Sequence, residues 1–367
     1  MGPIRVRLEG EYKMRAAFYN GIGEMEVNDY PIPDIEDGEV LIDIKATGIC
    51  GSDLNMNKAK TEADDVPAGH EITGVIVETG TGVSKEVIGQ RVAVEVLGSG
   101  RACLQCWYCR QGQYIHCPSS TKETRTNNRE DYKSGGFSEF ITRKITGCYP
   151  ILDSMSWSEG ALVEPLAVSV HGLRIGQIKG GDNVAILGAG TIGLTAVAAA
   201  KKLGAGKIFV TAKHPQQAEM AKKLGADYTA DPSNGSFEDL LFEMTDGRGA
   251  DLTVETVGGS RVDSLTQSIE VTRKQGRVVI LGVFYGDLAL NWARPILKEL
   301  TIQGSICYGL IDGVHDFEQS IEMFSDSDFN LREIVTHSYD LEEIQKGFET
   351  AYDKNTGSIK VHIMQEA

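Results

Sequence analysis

VAILGAGTIG, residues 184–193, is the stretch on which the fold turns. Four apolar residues, Val184 to Leu187, run straight into Gly188, and Gly190 and Gly193 complete a G-x-G-x-x-G spacing. The Ala-rich run LTAVAAAKKLGA (194–205) follows and reads as a helix. In a strand–turn–helix unit the first glycine permits the tight turn and the second lets the backbone approach a pyrophosphate. The third lets helix and strand pack closely. The start of the helix then offers unsatisfied N–H groups to phosphate. A purely structural turn is the competing reading. The strand before and the helix after favour a dinucleotide site built on Gly188, Gly190, Thr191, Ile192 and Gly193.

Working outward, KIFVT (207–211), PQQAEMAKKLGAD (215–227), DLTVETVG (251–258), SLTQSIEVTRK (264–274) and GRVVILGV (276–283) alternate strand and helix patterns. Strands separated by helices predict a parallel sheet with right-handed crossovers. An acidic residue is expected about 20 positions after the glycine turn, where it binds the ribose hydroxyls of NAD. Here the second strand ends in Ala212, Lys213 and His214 instead. A lysine at that place suits a 2'-phosphate, so NADP is favoured over NAD, against the plainer reading of Lys213 and His214 as solvated surface.

Before about residue 168 the pattern differs. EVLIDIKA (39–46), EITGVIVET (71–79), RVAVEV (91–96) and FSEFITR (137–143) are short strand patterns set among glycines, predicting a β-rich domain with long loops. Beyond about residue 310, HDFEQSIEMFSD (315–326) and LEEIQKGFETAYD (341–353) read as helices and SIKVHIM (358–364) as a strand.

The bulk properties exclude several classes. With 367 residues the chain has room for two or three domains, and 41% hydrophobic residues supply their cores. A formal charge of -16 argues against general nucleic-acid binding. No uncharged apolar run approaches the about 18 residues of a membrane span. The first residues carry no apolar signal core, predicting a cytoplasmic protein. Residues 1–13 read as a short leading extension, native or added, with Met14 as an alternative start.

Seven cysteines, unevenly spread, make a poor disulfide framework. Four of them fall together in CLQCWYCRQGQYIHC (103–117). Cys103, Cys106, Cys109 and Cys117 suit one tetrahedral zinc, and four sulfur ligands leave no open position, so the site is structural. Redox chemistry and an iron–sulfur centre are the competing readings. His116 is not needed as a ligand, and Trp107 and Tyr108 read as packing residues. Other metal-ligand types stand apart: Cys50 in CGSD, His70 and Glu71 in AGHE, and Glu164 in LVEP. Their spacing alone does not reveal whether they converge.

A wider set of motifs comprises ICGSD (49–53), AGHEITGVI (68–76), GQRV (89–92), GGFSEF (135–140), EPLAVSVHG (164–172) and GRVVILG (276–282). With the cysteine lobe and the glycine turn, they make the chain from about Met14 resemble the zinc-dependent medium-chain alcohol dehydrogenase family. The likeness is to its polyol (sorbitol) and threonine dehydrogenase-like branches. The resemblance implies an α/β protein: a GroES-like β-rich catalytic domain with an inserted Rossmann domain. The implied bounds are 14–168 for the catalytic domain, with the zinc lobe at 100–118, and 169–308 for the Rossmann domain. Residues 309–367 would return to the catalytic part.

The same resemblance implies two Zn2+ per chain. The catalytic zinc would rest on Cys50 and His70, with Glu71 and Glu164 completing the shell; which carboxylate ligates stays open. Asp53 would orient His70, and Ser52 would hold the substrate oxygen and pass its proton. Asn55 stands where many polyol-branch relatives carry histidine, and an amide cannot shuttle a proton near neutral pH. Proton exit would then use ribose hydroxyls, water or another group. The 19 residues between Cys50 and His70 form a shorter loop than in typical polyol dehydrogenases.

The implied reaction is hydride transfer between NADP(H), held at the domain cleft, and a secondary alcohol, polyol or sugar-like hydroxyl or ketone. Alternatives are an NAD-dependent threonine or diol dehydrogenase, or a catalytically inactive dinucleotide-binding protein. The expected partners are a small hydroxylated or carbonyl substrate and further copies of the chain, as a tetramer or a dimer. His171 reads as a packing residue. Lys298, Glu299 and Tyr308 are open between sugar recognition and strand packing.

Overall fold

Val184–Leu187 is buried at every position, and its flanks show why. It pairs in parallel with Ile208–Thr211 on one side and Ala250–Glu255 on the other, so both edges are taken, and helices Thr191–Lys202 and Asp263–Val271 pack against it. The computed structural model describes residues 7–8, 11–59, 62–64, 66–96, 102–119, 135–233 and 235–365. Residues 100 and 101 of the expected lobe, and most of the leading stretch 1–13, lie outside them. Two units emerge. One comprises Met1–Glu164, Asp312–Ser325 and Val335–Ala367; the other comprises Pro165–Ile311 and Asp326–Ile334.

In the second unit the sheet runs Tyr228–Ala230, Ile208–Thr211, Val184–Leu187, Ala250–Glu255, Thr272–Ile280, Thr301–Gly304 from edge to edge. Every pairing is parallel. Counted along the chain this is the strand order 3-2-1-4-5-6 of a Rossmann sheet. The order reverses beside Val184–Leu187, so the crevice at its carboxyl end opens at Gly188. Helices Thr191–Lys202, Pro215–Lys223, Ser236–Met244 and Asp263–Val271 alternate with the strands. Ala185, Leu187, Phe209, Phe237, Leu241, Ala250 and Val271 form one buried cluster between layers. Each Leu, Val or Phe among them contributes about 1.5–3 kcal/mol when fully buried.

Three local expectations shift. The helix after the glycine turn starts at Thr191, not at Leu194, because its first turn is the phosphate-facing end of the motif. SLTQSIEVTRK is helical only to Val271, and strand Thr272–Ile280 begins there. Thr272 explains the switch. Its buried hydroxyl closes the helix on the Ser268 carbonyl at 2.6 Å and meets Thr253 Oγ1 at 2.7 Å. Residues 326–334, set by the sequence reading with the returning C-terminal segment, belong to this unit. Leu331 and Ile334 are fully buried there, and Asp326 and Glu333 pair with Lys202 and Lys223 on its helices.

The first unit is built on Glu39–Gly48, which pairs antiparallel with Glu71–Thr79, Phe140–Lys144 and Lys360–Met364. Alternation works here as expected. Val40, Ile42 and Ile44 join Ile72, Ile76, Val92, Val94 and Ile141 in one core. Tyr19, Phe137, Phe348, Val361 and Ile363 fill another. Two strand patterns are shorter than read, at Arg91–Val94 and Phe140–Lys144. Phe137 leaves that line because its N–H donates to the Ala68 carbonyl at 2.9 Å. Strand Glu11–Tyr19 runs through Met14, which is buried against Leu41 and Phe140. No helix among the described residues is long and apolar enough to cross a membrane.

The central strand delivers the site. Gly48 is opposite both Glu71 and His362, so the end of one strand, the start of a second and the middle of a third meet beside Cys50.

Candidate functional site

Cys50 lies immediately before helix Gly51–Ala59, and Asp53 sits in the first turn of that helix. A carboxylate suits a helix N-terminus, where the backbone dipole is positive. The Cys50 N–H donates to Asp53 Oδ2 at 2.9 Å, which fixes the cysteine's direction. The other oxygen, Oδ1, faces His70 Nδ1 at 3.6 Å. Tyr19, wholly buried, donates its hydroxyl to the Asp53 carbonyl at 3.3 Å and to Oδ1 at 3.4 Å. Asp53 is thus held from two sides, with its carboxylate beside the imidazole of His70.

Cys50, His70 and Glu71 each bring one donor atom within 4.8 Å of the other two. Zinc bonds of about 2.0–2.3 Å place tetrahedral ligand atoms about 3–4 Å apart, so a small contraction closes the set. The charges also fit a cation. Burial works against a charged His70, yet Asp53 and Cys50 hold its pKa well above the ordinary histidine value. Asp53 is raised, by burial above all. Glu164 is pushed up to about 7, by burial first, with Glu71 adding repulsion while His70 and Lys360 oppose. Glu164 is therefore a buried neighbour of the triplet, but it stands outside the 4.8 Å set. Ser52 and Asn55 are exposed, one turn apart on the same helix whose other side buries Asp53 and Asn57.

One residue of this site escapes a sequence reading. Lys360, only 1% exposed, is ion-paired with Glu71 Oε2 and donates to the Ile49 carbonyl at 2.9 Å. Gly48 makes the space. A Cβ there would stand 1.9 Å from Glu71 Oε2 and 2.8 Å from Lys360 Cε. The only local trace is a lysine inside the strand pattern SIKVHIM, which by itself reads as an outward-facing residue.

The four remaining ligand-type cysteines converge separately. Cys103, Cys106, Cys109 and Cys117 also present donor atoms within 4.8 Å of one another. The Cys106 N–H donates to Cys103 Sγ and the Cys103 N–H to Cys117 Sγ, each at 3.3 Å. Backbone N–H groups aimed at sulfur favour thiolates. Crowding opposes them without a cation: burial, then Cys106 and Cys117, pushes the Cys109 thiol up to about 12. A zinc ion relieves that conflict, and the donor set fits one. His116 lies outside the set. Trp107 and Tyr108, read as packing residues, instead stack edge to face on each other at the surface, with Trp107 67% exposed. The lobe is too small to bury them both.

In the other unit the glycine turn has the geometry its motif needs. Gly188 has φ 103°, and a Cβ at Gly193 would fall 1.8 Å from the Gly188 carbonyl oxygen. Gly190 caps helix Thr191–Lys202 without a side-chain bond and has open space beside it, so the cradle fits a pyrophosphate. Thr211, missed by the sequence reading, accepts the Gly188 N–H on its hydroxyl at 2.8 Å. Ala212 is buried and Lys213 exposed, while His214 precedes helix Pro215–Lys223. Asp231, at the end of the next strand, feels the charge of Lys213. Lys298 is a structural residue: its ammonium donates to the carbonyls of Ile269, Glu270 and Thr272 at 2.6–2.8 Å. Those bonds close the end of helix Asp263–Val271.

A family model described as alcohol dehydrogenase GroES-like domain matches residues 36–153, and one described as zinc-binding dehydrogenase matches residues 191–326. Sorbitol dehydrogenase of Bacillus subtilis is 32% identical over 356 residues, covering 95% of this chain and 97% of that protein. An Escherichia coli oxidoreductase/dehydrogenase of unknown specificity superposes with a TM-score of 0.85 at 30% identity, over 97% of this chain and 100% of that one. The 2R,3R-butanediol dehydrogenase of Bacillus subtilis superposes with a TM-score of 0.79 at 28% identity, over 96% and 100%.

Proposed function

The chain belongs to the zinc-type medium-chain alcohol and polyol dehydrogenase family, and from that premise we propose a specific reaction. It is a zinc-dependent oxidoreductase that transfers a hydride between NADP(H) and a secondary alcohol, polyol or sugar-like hydroxyl or ketone. The observation that carries the proposal is the convergence of Cys50, His70 and Glu71, separate from the closed four-cysteine lobe. Three donors leave a tetrahedral metal one position for a reactant, and four do not.

Zinc, held by Cys50, His70 and a carboxylate from Glu71 or Glu164, supplies Lewis acidity, and the nicotinamide supplies the hydride chemistry. The residues of the chain do the rest. Asp53 holds His70 in one orientation. Ser52, exposed at the helix start, takes the hydroxyl proton of the substrate and passes it to water, because Asn55 has no titratable group. Gly188, Gly190 and Gly193 cradle the pyrophosphate. Lys213 meets the 2'-phosphate in place of a carboxylate. A spectrophotometric screen of diols, polyols, secondary alcohols and threonine with each cofactor tests the proposal. NADP-dependent oxidation of a polyhydroxy or secondary alcohol, with about two zinc ions per chain, is expected. Strong NAD preference overturns the role of Lys213, and no turnover with any hydroxy compound overturns the reaction.

Self-association forms part of the same proposal. Among the described residues, strand Thr301–Gly304 pairs on one side only, and Trp292, Ile296, Leu297 and Ile306 near it in sequence are exposed. An open edge with apolar neighbours fits a second copy of the chain around a two-fold axis. Light scattering should return a multiple of 39.8 kDa; the mass of one chain overturns this part.

A further inference from the structure

We infer that Glu255 is a positioning residue for the dinucleotide, holding the turn that roofs the glycine loop; the inference rests on reading residues 188–193 as the cofactor turn. Glu255 ends strand Ala250–Glu255, opposite Leu187 on one side and Ile280 on the other. It is fully buried. One oxygen, Oε1, accepts the N–H groups of Val257 at 2.9 Å and Gly258 at 3.1 Å. The other, Oε2, is buried with no hydrogen-bond partner. It faces Gly282, where a Cβ would stand only 2.4 Å away.

The turn so held is the one against the glycine loop. Thr256 donates its hydroxyl to the carbonyls of Leu187 at 2.7 Å and Gly188 at 3.2 Å. A Cβ on Gly188 would meet Thr256 Oγ1 and Val257 Cγ2 at 2.8 Å each. Beyond the turn, the Gly259 N–H donates to the Val283 carbonyl at 2.8 Å. The segment 256–259 is thereby tied to the carboxyl ends of two neighbouring strands, the place where an open α/β sheet binds its ligand. A core carboxylate with one oxygen unsatisfied is costly, and an apolar residue would fill the volume without that cost. What the carboxylate adds is an acceptor for two consecutive N–H groups at the cofactor's edge.

The test is titration calorimetry of the full chain with NADP and NADPH, alongside steady-state kinetics, zinc content and thermal unfolding. Glu255→Leu removes the acceptor. Its Kd for both cofactors should rise about tenfold, the loss of hydrogen bonds to a charged group, while kcat at saturating cofactor stays within about twofold. Glu255→Gln keeps an oxygen for Val257 and Gly258 and should bind within about threefold of the unsubstituted chain. Glu255→Met also removes the acceptor while keeping the length of the side chain and should weaken binding in the same direction, which covers the case that Glu255→Leu does not fold. Unchanged affinity in Glu255→Leu or Glu255→Met, with only the unfolding temperature lowered, overturns the inference. If the unsubstituted chain itself binds neither cofactor, the reading of the glycine turn fails and the role of Glu255 falls with it.

Discussion

Lys360 and Glu71 form an ion pair in which each side chain is 1% exposed, and the missing Cβ of Gly48 leaves the room in which they meet. Glu71 therefore faces the ammonium with one oxygen and forms, with Cys50 and His70, a candidate metal position. The strand ends bring this about. Glu71 opens one strand opposite Gly48, the last residue of the strand between, and Lys360 opens the other, two residues before His362, which is opposite Gly48 on its far side.

Removing that ammonium should expose the division of labour. Lys360→Met leaves a buried carboxylate without its cation, a loss of about 3–5 kcal/mol. Zinc at the site takes over part of the pairing, so the loss should be greater in chelator-treated protein than in zinc-loaded protein. Urea unfolding of both forms, with and without the substitution, measures the difference. Equal stability of Lys360→Met and the unsubstituted chain in the metal-free state rejects a structural role for the pair.

Cys109→Ser should separate the two metal positions. It removes one of four sulfur donors from the lobe and none from Cys50, His70 and Glu71. Zinc content is expected to fall by one equivalent, with the protein less stable, because a structural site contributes its binding energy to folding. Elemental analysis together with thermal unfolding reads both. Retention of two equivalents, or loss of both, contradicts the independence of the sites.

Cofactor choice should follow the end of strand Ile208–Thr211. Ala212→Asp places a carboxylate where an unmodified ribose is bound and a 2'-phosphate is repelled. The ratio of kcat/KM for NADP to that for NAD should drop at least tenfold. Lys213→Ala should raise KM for NADP about tenfold, one charge-assisted bond, and leave NAD nearly unchanged. Asp231 close to Lys213 tempers the second effect. An unaltered ratio in both variants removes Lys213 from phosphate recognition.

What the sequence reveals about such sites depends on distance along the chain. The cysteine lobe is legible because its ligands recur within one short loop, and the glycine turn because strand, turn and helix are contiguous. Cys50, His70 and Glu71 needed the family resemblance, since nothing in their separation shows that strands Glu39–Gly48 and Glu71–Thr79 end side by side. Lys360 was out of reach even so: its partner lies in the first quarter of the chain, and a lone lysine in a strand pattern looks solvated. Boundaries failed where a side-chain bond outweighed periodicity, as when Thr272 ended a helix that SLTQSIEVTRK would continue. Residues 326–334 failed for the converse reason, two apolar side chains finding burial in the other unit.

His362 sets the last expectation, an acid limit to stability. It is fully buried opposite Gly48, and neither ring nitrogen has a hydrogen-bond partner. Burial, with Lys360 adding repulsion, pushes its pKa down from 6.5 to about 3. Between those values the unfolded chain binds a proton that the folded chain refuses, so stability rises with pH across that window. The contribution is intact above about pH 6.5 and is lost as pH falls toward about 3, at about 1.4 kcal/mol per pH unit. His362→Leu removes this one proton. Denaturant midpoints at several pH values between 7 and 4 should fall less steeply in the variant, while acid loss of zinc affects both proteins alike. Parallel slopes for the two proteins mean that the ring is already protonated, or already paired, in the folded state.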